Sequence, residues 1–557
     1  MESELFDTSI FTKINMQIFG LLSKERLHLR EIAKRINCSP AKAHACIKIF
    51  KKNNIVVEIS EKNRKIIAIN MQNELAKQIL QLISIGKIIE NDFATINIFD
   101  AISPLDFRYY GRNNKVFEKI HPYLPESAFI RYALKVESAL AHALAKNKIC
   151  SQKIADEIKK ACAQVNAEEV YAEEDRIMHN IRALANCIRN KVGKEAKPFV
   201  HFTATSYDII ATADALRYRD FTNNALILEL LNLEATLIKI SLREKDTIQI
   251  GRTHGQHAEP ITFGFAIAQY VSRLGSAIIK IKKTANNLRG KMSGAVGAYN
   301  ASFLFFDDPI KFEEQALNEL GLKPSPISTQ IAEPEFMVDY LSGIISAFGI
   351  IANLADDMRH LQRNEIAEVG ELFLSKQVGS STMPQKRNPI NFENVKSMWK
   401  EFMPRLITVY MDQISEHQRD LTNSASMRFI PEILAGFYVS VVRLNKVMTG
   451  LAVDKSNMQK NFDMNRGMVI AEPLYILLAA NSHPDAHEYI REMTLKSQST
   501  KRPLISLIKK DKGIQKYLRK FSKKQIEIIN NPQKYTGIAS KKTQLICDYW
   551  KKELRIR

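Results

Sequence analysis

Cysteine is sparse in this 557-residue chain and never paired in sequence. Cys38, Cys46, Cys150, Cys162, Cys187 and Cys547 are scattered, with no C-x-x-C spacing among them. That argues against a zinc ribbon or a disulfide framework and fits a reducing compartment. No secretory signal is expected either, because MESELFDTSI has no basic start followed by an apolar run. No apolar stretch reaches the ~20 residues that a membrane helix needs. The longest, around Leu341–Ala355, is broken by Ser342, Gly343 and Asn353 and reads as a buried bundle helix. No internal repeat, metal-ligand cluster or phosphate-cradling glycine loop is found, so no cofactor and no metal are expected. The expected setting is cytoplasmic, without membrane contact.

What is present is the balance of an ordinary globular protein: 45% hydrophobic and 25% charged residues. The length calls for two or three domains. The formal net charge of +20 has three readings: nucleic-acid binding, affinity for anionic small molecules, or a lysine-rich proteome. Charge alone does not choose among them.

The first ~95 residues differ in pattern from the rest. Ile14, Ile18 and Leu21 repeat at helical spacing, and Leu29, Ile32, Ala33 and Ile36 do so in a short second helix. Ser39 is placed as N-cap and Pro40 at the first position of a third helix ending near Lys52. Its apolar face is Ala43, Cys46, Ile47 and Phe50; His44, Lys48, Lys51 and Lys52 occupy the other side. Two strand-like runs, Ile55–Ile59 and Lys65–Asn70, flank a polar turn. Three helices and a basic hairpin resemble a winged helix-turn-helix, whose third helix would face a DNA major groove. A docking surface without DNA is the competing reading.

From about residue 100 the pattern is helical. Long amphipathic runs are expected over Asn223–Lys245, Ile261–Leu288, Phe336–Glu365, Asn391–Ser415 and Pro431–Leu451. Pro260, Pro334, Pro389 and Pro431 punctuate their ends. Such helices must bury their apolar stripes against one another, so the fold class is mainly α, a long helical bundle. The expected divisions are 1–95 for the winged module, 96–215 for an N-terminal lobe, 216–465 for the bundle and 466–557 for a small helical domain.

Short polar segments interrupt these helices. Gly379-Ser380-Ser381-Thr382-Met383-Pro384-Gln385-Lys386-Arg387-Asn388-Pro389 reads as a flexible loop entering a helix. Its backbone N–H groups, Lys386 and Asn388 suit a carboxylate, although a plain polar loop with a helix cap has the same composition.

That loop resembles the G-S-S-x-M-P-x-K-x-N signature of the fumarase/aspartase superfamily at every fixed position. The resemblance implies a long helical bundle in a homotetramer, and anti elimination of fumarate from a succinyl group. Other segments resemble the adenylosuccinate lyase branch. Ser103-Pro104-Leu105-Asp106-Phe107-Arg108-Tyr109 is similar to its S-P-x-D-x-R-Y, and His201 through Ile209 to its H-x-x-x-T-S-x-D-I. Argininosuccinate lyases have T-S-R-N-D-Q at that place. Gly251-Arg252-Thr253-His254-Gly255-Gln256 is similar to R-T-H-G-Q, where fumarases have R-T-H-L-Q. Ser328-Thr329-Gln330 and His417 through Ser424, continuing to Arg428, also match. The motifs run from about Ser103 onward.

The resemblance implies roles residue by residue. Ser380 is the family's general base, possible only where positive charge and hydrogen bonds favour its alkoxide. Lys386, Asn388 and the backbone of Ser380–Met383, with Ser381 and Met383 as substrate contacts, stabilise the dianionic carboxylate next to the carbanion. His254 is the general acid for the leaving amine, with Glu393 as its orienting partner and Thr253 beside it. His179 and His201 match histidines near the phosphate and the leaving group. Arg108, Tyr109, Thr205, Ser206, Gln330, Arg419, Ser424 and Arg428 match positions holding phosphate, purine or carboxylates, a task for which arginine has the right fork geometry. The implied partner is a small nucleotide.

Three positions depart from the pattern. Asn180 stands where the family reads aspartate after the histidine, Met178 is apolar where many members are polar, and Gln385 replaces a histidine. Argininosuccinate lyases often carry glutamine at the last position, which keeps that branch as the alternative. A regulator with a ligand-sensing lyase-like domain, or a purely structural protein, would not need both acid and base.

Overall fold

The computed structural model describes residues 13–23, 25–36, 38–61, 64–80, 101–372, 382–464 and 466–556. Ser380 and Ser381 lie outside the described residues, as does Lys62 of the basic hairpin. The chain divides into two compact units, Met1–Asn97 and Ile98–Arg557.

The first unit runs α1 (Lys13–Leu22), β1 (Leu27–His28), α2 (Leu29–Arg35), α3 (Pro40–Lys52), β2 (Val56–Glu61), β3 (Arg64–Ile69). Ser39 caps α3 by accepting from the Lys42 N–H at 3.2 Å, which satisfies one of the orphan donors of a helix start. The hairpin β2–β3 is antiparallel and β1 pairs with the outer side of β3, giving the order β1-β3-β2. Strand β1 has only two residues, too short for a periodicity signal. Ile18, Phe19, Ile32, Ile47, Phe50 and Ile67 form this unit's own core.

The second unit is helical. It contains α4 (Glu126–Lys146), α5 (Ala167–Ile177), α6 (Asn180–Asn190), α7 (Ser206–Phe221) and α8 (Ile227–Arg243). The hairpin β4 (Ile248–Thr253) and β5 (Gln256–Thr262) precedes α9 (Phe263–Ala285). Then come α10 (Glu335–Leu361), α11 (Ile390–Phe402), α12 (Ile430–Thr449) and, near the end of the chain, α13 (Ala539–Glu553). Helix α9 packs on α8 and α10, α11 on α10 and α12, and α12 closes on α8. Leu230, Leu233 and Leu237 of α8 sit at three- and four-residue spacing, and so do Ile267, Val271, Leu274 and Ile278 of α9. They meet Leu341, Ile344, Phe348 and Ile351 of α10 and Leu434, Phe437, Val441 and Leu444 of α12 in one cluster. Each such buried side chain contributes about 1.5–3 kcal/mol of transfer free energy. Helix α10 is long and apolar enough to cross a membrane by length and composition, but its apolar residues are spent on this core.

Two expectations need correction. The run Asn391–Ser415 is two helices, α11 and Arg405–Met411. Pro404 between them lacks the N–H that a continuous helix would use there. The run from Ile261 starts two residues late, because Ile261 and Thr262 belong to β5 and Thr262 caps α9 through Phe265 N at 3.2 Å.

Helices over 471–480, 486–500 and 504–510 enclose a separate small core with Leu474, Ile490, Leu504 and Ile508. Helix α13 returns to the bundle, placing Cys547 and Trp550 against α8 and α9. Gly275 makes room for it: a Cβ there would lie 2.4 Å from the Trp550 ring. Gly275→Ala should therefore destabilise by about 1–3 kcal/mol through overpacking, read as a lower thermal midpoint.

Glu234 of α8 is fully buried and neither of its carboxyl oxygens has a hydrogen-bond partner among the described residues. Burial pushes its pKa from the usual 4.5 to about 9. The folded chain holds this proton where the unfolded chain releases it, so unfolding gains favour as pH rises between those values. Glu234→Gln should remove that contribution: its thermal midpoint should exceed the parent's by a margin that widens from pH 5 to pH 9. Parallel pH curves for the two would contradict the buried neutral carboxyl.

Candidate active site

The motif residues gather at three places in the chain. The first is at the starts of α6 and α7. Helix α5 ends on Met178 in the left-handed conformation, φ 56°, with its side chain 84% exposed. That sharp turn makes His179 the N-cap of α6, its Nδ1 accepting from the Arg182 N–H at 3.3 Å. Asn180 opens α6, where the family's aspartate would add a charge favoured by the helix dipole. Thr205 precedes α7 and its N–H donates to Asp208 Oδ2 at 2.8 Å, with Ser206 as the first helical residue. Asp208 is itself buried against Lys291, both fully inaccessible, with Nζ donating at 2.5 Å. Lys291 Nζ also donates to the Gly294 carbonyl, and the Gly294 N–H to Asp208. A buried ion pair is tolerated only when its remaining hydrogen-bonding capacity is satisfied in this way.

Arg419 joins this group. Its guanidinium lies 3.4 Å over the Tyr207 ring and donates to Gln330 Oε1 at 3.0 Å. Among the described residues its buried Nε has no partner. Ser424 and Arg428 line a cleft of 350 Å³ with Tyr207 and Asn180. His201, at φ 61°, bonds through Nδ1 to the buried Glu137 at 2.6 Å. Burial lowers the His201 pKa, but the Glu137 charge and hydrogen bond outweigh it and raise the pKa.

The second place is the start of α11. Glu371 accepts from the N–H groups of Asn391 and Phe392 at 2.8 and 3.0 Å and from Asn391 Nδ2 at 2.6 Å. It is a carboxylate cap on that helix start. Arg443 of α12 donates to Asn391 Oδ1 at 2.8 Å. Asn394 donates to the Tyr109 hydroxyl at 3.0 Å, drawing in the short π-helical turn Leu105–Tyr110 that carries Arg108. These residues open onto a cleft of 860 Å³ lined by Arg108, Arg112, Lys115, Arg443 and Lys446, with no acid among its described lining residues. Met383, Lys386 and Asn388 lie on the segment leading into α11, the first two exposed. Its stem is tied to the end of α10, because Gln362 donates to the Arg387 carbonyl and accepts from the Glu371 N–H. Glu393 is exposed in the first turn of α11.

The third place is the tip of the β4–β5 hairpin. Thr253 pairs with Gln256, and between them His254 and Gly255 have φ of 53° and 75°. Two consecutive positive φ values are the requirement of a tight type I′ hairpin turn, which explains the glycine after the histidine. His254 is exposed at this tip. The hairpin base is anchored by buried Glu368, which accepts from Arg252 at 2.6 Å, Gln249 at 2.7 Å and Asn461 at 2.9 Å.

Within one chain, no hydrogen bond or ion pair joins His254 to Glu393, or either of them to the Arg419 group, among the described residues. Sequence reasoning missed the carboxylates behind the site: Glu137, Glu368 and Glu371. Asp208 stood inside a recognised segment and Glu371 eight residues ahead of one, whereas nothing in the spacing pointed to Lys291 or Glu137.

The bundle is similar in fold to a 3-carboxy-cis,cis-muconate lactonizing enzyme from Pseudomonas putida, with TM-score 0.68 at 23% identity over 79% of this chain and 97% of that one. It is equally similar to a fumarate lyase from Mesorhizobium sp. BNC1, with TM-score 0.68 at 20% identity over 79% and 99%. Residues 68–403 match a family model described as Lyase. Fold, loop and match together define a lyase of the fumarase/aspartase type. Residues 415–536 match the model described as Adenylosuccinate lyase C-terminal. The adenylosuccinate lyase of Archaeoglobus fulgidus is 33% identical over 451 residues, 80% of this chain and 98% of that protein; that of Pyrococcus abyssi is 32% identical over 457 residues, 81% and 98%. The chain belongs to the adenylosuccinate lyase family. The Lyase match begins at residue 68, within β3, earlier than the first motif at Ser103.

Glu137→Gln should lower the pKa of His201, since the group that raises it is neutralised while burial remains. Imidazole titration by NMR reads this directly; an unchanged His201 would mean that Glu137 does not set its charge.

Proposed function

We propose that this chain eliminates fumarate from adenylosuccinate to give AMP, and from the succinylated aminoimidazole carboxamide ribotide of purine synthesis. The observation that carries this reading is the complete acid–base set, Ser380, Lys386, His254 and Glu393, in a chain of this family. The cation-lined cleft at Arg108 and Tyr109, and the Gln330–Arg419 pair beside Ser424 and Arg428, supply charge for a phosphate and two carboxylates.

The reaction balances as follows. Ser380, as its alkoxide, takes the proton from the carbon next to one carboxylate. The electron pair moves into that carboxylate, held as a dianion by Lys386, Asn388 and loop N–H groups. Its return forms the C=C bond and breaks the C–N bond. His254 passes its proton to the leaving nitrogen, with Glu393 of another subunit as its orienting partner. Closure of the 379–389 loop would exclude water from this step. A charged His201, sustained by Glu137, suits the phosphate.

The exposure of His254 and of the Lys386 segment in a single chain supports a site assembled from several copies. A homotetramer is the arrangement that fits, each site drawing the hairpin tip, the α11 start and the Arg419 group from different subunits.

Ser380→Ala and His254→Ala should each lower turnover by about 10²–10⁴-fold in an ultraviolet assay with adenylosuccinate. Mixing the two inactive proteins under subunit exchange should restore part of the activity. Turnover of argininosuccinate alone would overturn the substrate assignment, and a fully active monomer in sedimentation would overturn the shared site.

A further inference from the structure

The N-terminal unit has a surface that the lyase reaction leaves unused. At about 100° per residue, Ala41, Ala45, Lys48 and Lys52 fall on the line of α3 opposite its buried Ala43, Cys46, Ile47 and Phe50. All four are exposed. The N-terminal half of this line is small and the C-terminal half cationic. Among the described residues, Lys42, Lys48 and Lys52 have no carboxylate within ion-pair distance. Neighbouring cations do: Glu58 of β2 takes both Lys51 and Lys65, and Glu25 and Glu31 both take Arg35. Glu25, Glu31 and Glu58 are thus engaged beside the α3 face, while Lys42, Lys48 and Lys52 keep their charge for a partner, as Arg30 and Lys34 of α2 also do. No large apolar side chain lies on the central line, whereas a protein or lipid partner would want an apolar anchor there.

We propose that α3 is a duplex-DNA contact helix, seated in the major groove. The groove admits an α-helix, and the methyl groups of Ala41 and Ala45 allow close approach to base edges and thymine methyls. Lys48 and Lys52, farther along the helix, reach phosphates, with Lys42 on the flank. Lys51 and Lys65, tied to Glu58, contribute less than their number in the sequence suggests. The ligand is a B-form polyanion; A-form RNA has a major groove too narrow for this helix.

The test is fluorescence anisotropy of the full-length protein with a labelled 20-base-pair DNA duplex, an RNA duplex of equal length as comparator, and salt from 50 to 200 mM. Parent protein should bind DNA with an affinity that falls steeply with salt, and RNA more weakly. Lys48→Glu with Lys52→Glu should weaken DNA binding by more than about tenfold and reduce the log–log salt slope by about 2. Ala45→Glu leaves every lysine in place and should also abolish binding, because it blocks the approach. Circular dichroism and lyase turnover should match the parent in both variants, which separates loss of contact from loss of fold. A control reversal at Lys523 and Lys524, exposed in the basic C-terminal region, should matter less. The proposal is overturned by absence of DNA binding at 50 mM salt, by equal RNA binding, by α3 variants that bind like the parent, or by a control that loses as much.

Discussion

The mutual burial of the apolar stripes of α8, α9, α10 and α12 is the constraint on which everything else in the second unit depends. Each of these helices is an open surface without the others, so the bundle forms as a set. Because the helices are long and their interiors are committed to packing, polar chemistry is displaced to their ends. The starts of α7 and α11, the hairpin before α9 and the residues before α12 are where polar side chains gather.

These ends are held by buried carboxylates. Asp208 ties the start of α7 to Lys291, Glu371 closes the start of α11, Glu368 anchors the base of the His254 hairpin, and Glu137 orients His201. In each case an acid placed on a helix start or against a cation replaces the solvent that the segment loses. Of the residues resembling catalytic ones, His254, Lys386 and Glu393 remain exposed in one chain.

Much of this was legible beforehand. The first unit's helices followed from Ile, Leu and Phe spacing and from the Ser39-Pro40 start, because caps and amphipathic faces are local. The short strand β1 was not, since two residues carry no period and pair only through the fold. Pro404 was passed over inside an otherwise helical run, although its missing N–H breaks the helix there. The R-T-H-G-Q segment did not announce a hairpin, because its turn depends on two positive φ values rather than on alternating hydrophobicity.

The sequence by itself determined the class of bundle and the family, since both reside in residue type and short spacing. The tertiary structure decided which distant carboxylates support the motif residues. Glu137 meets His201 across 64 positions, and Lys291 meets Asp208 across 83. It also decided that Arg419 stacks on Tyr207 and that His254 and Glu393 stay apart within one chain. Such pairings arise only when helices far apart in sequence are brought into register by their shared core, and no local pattern encodes that register.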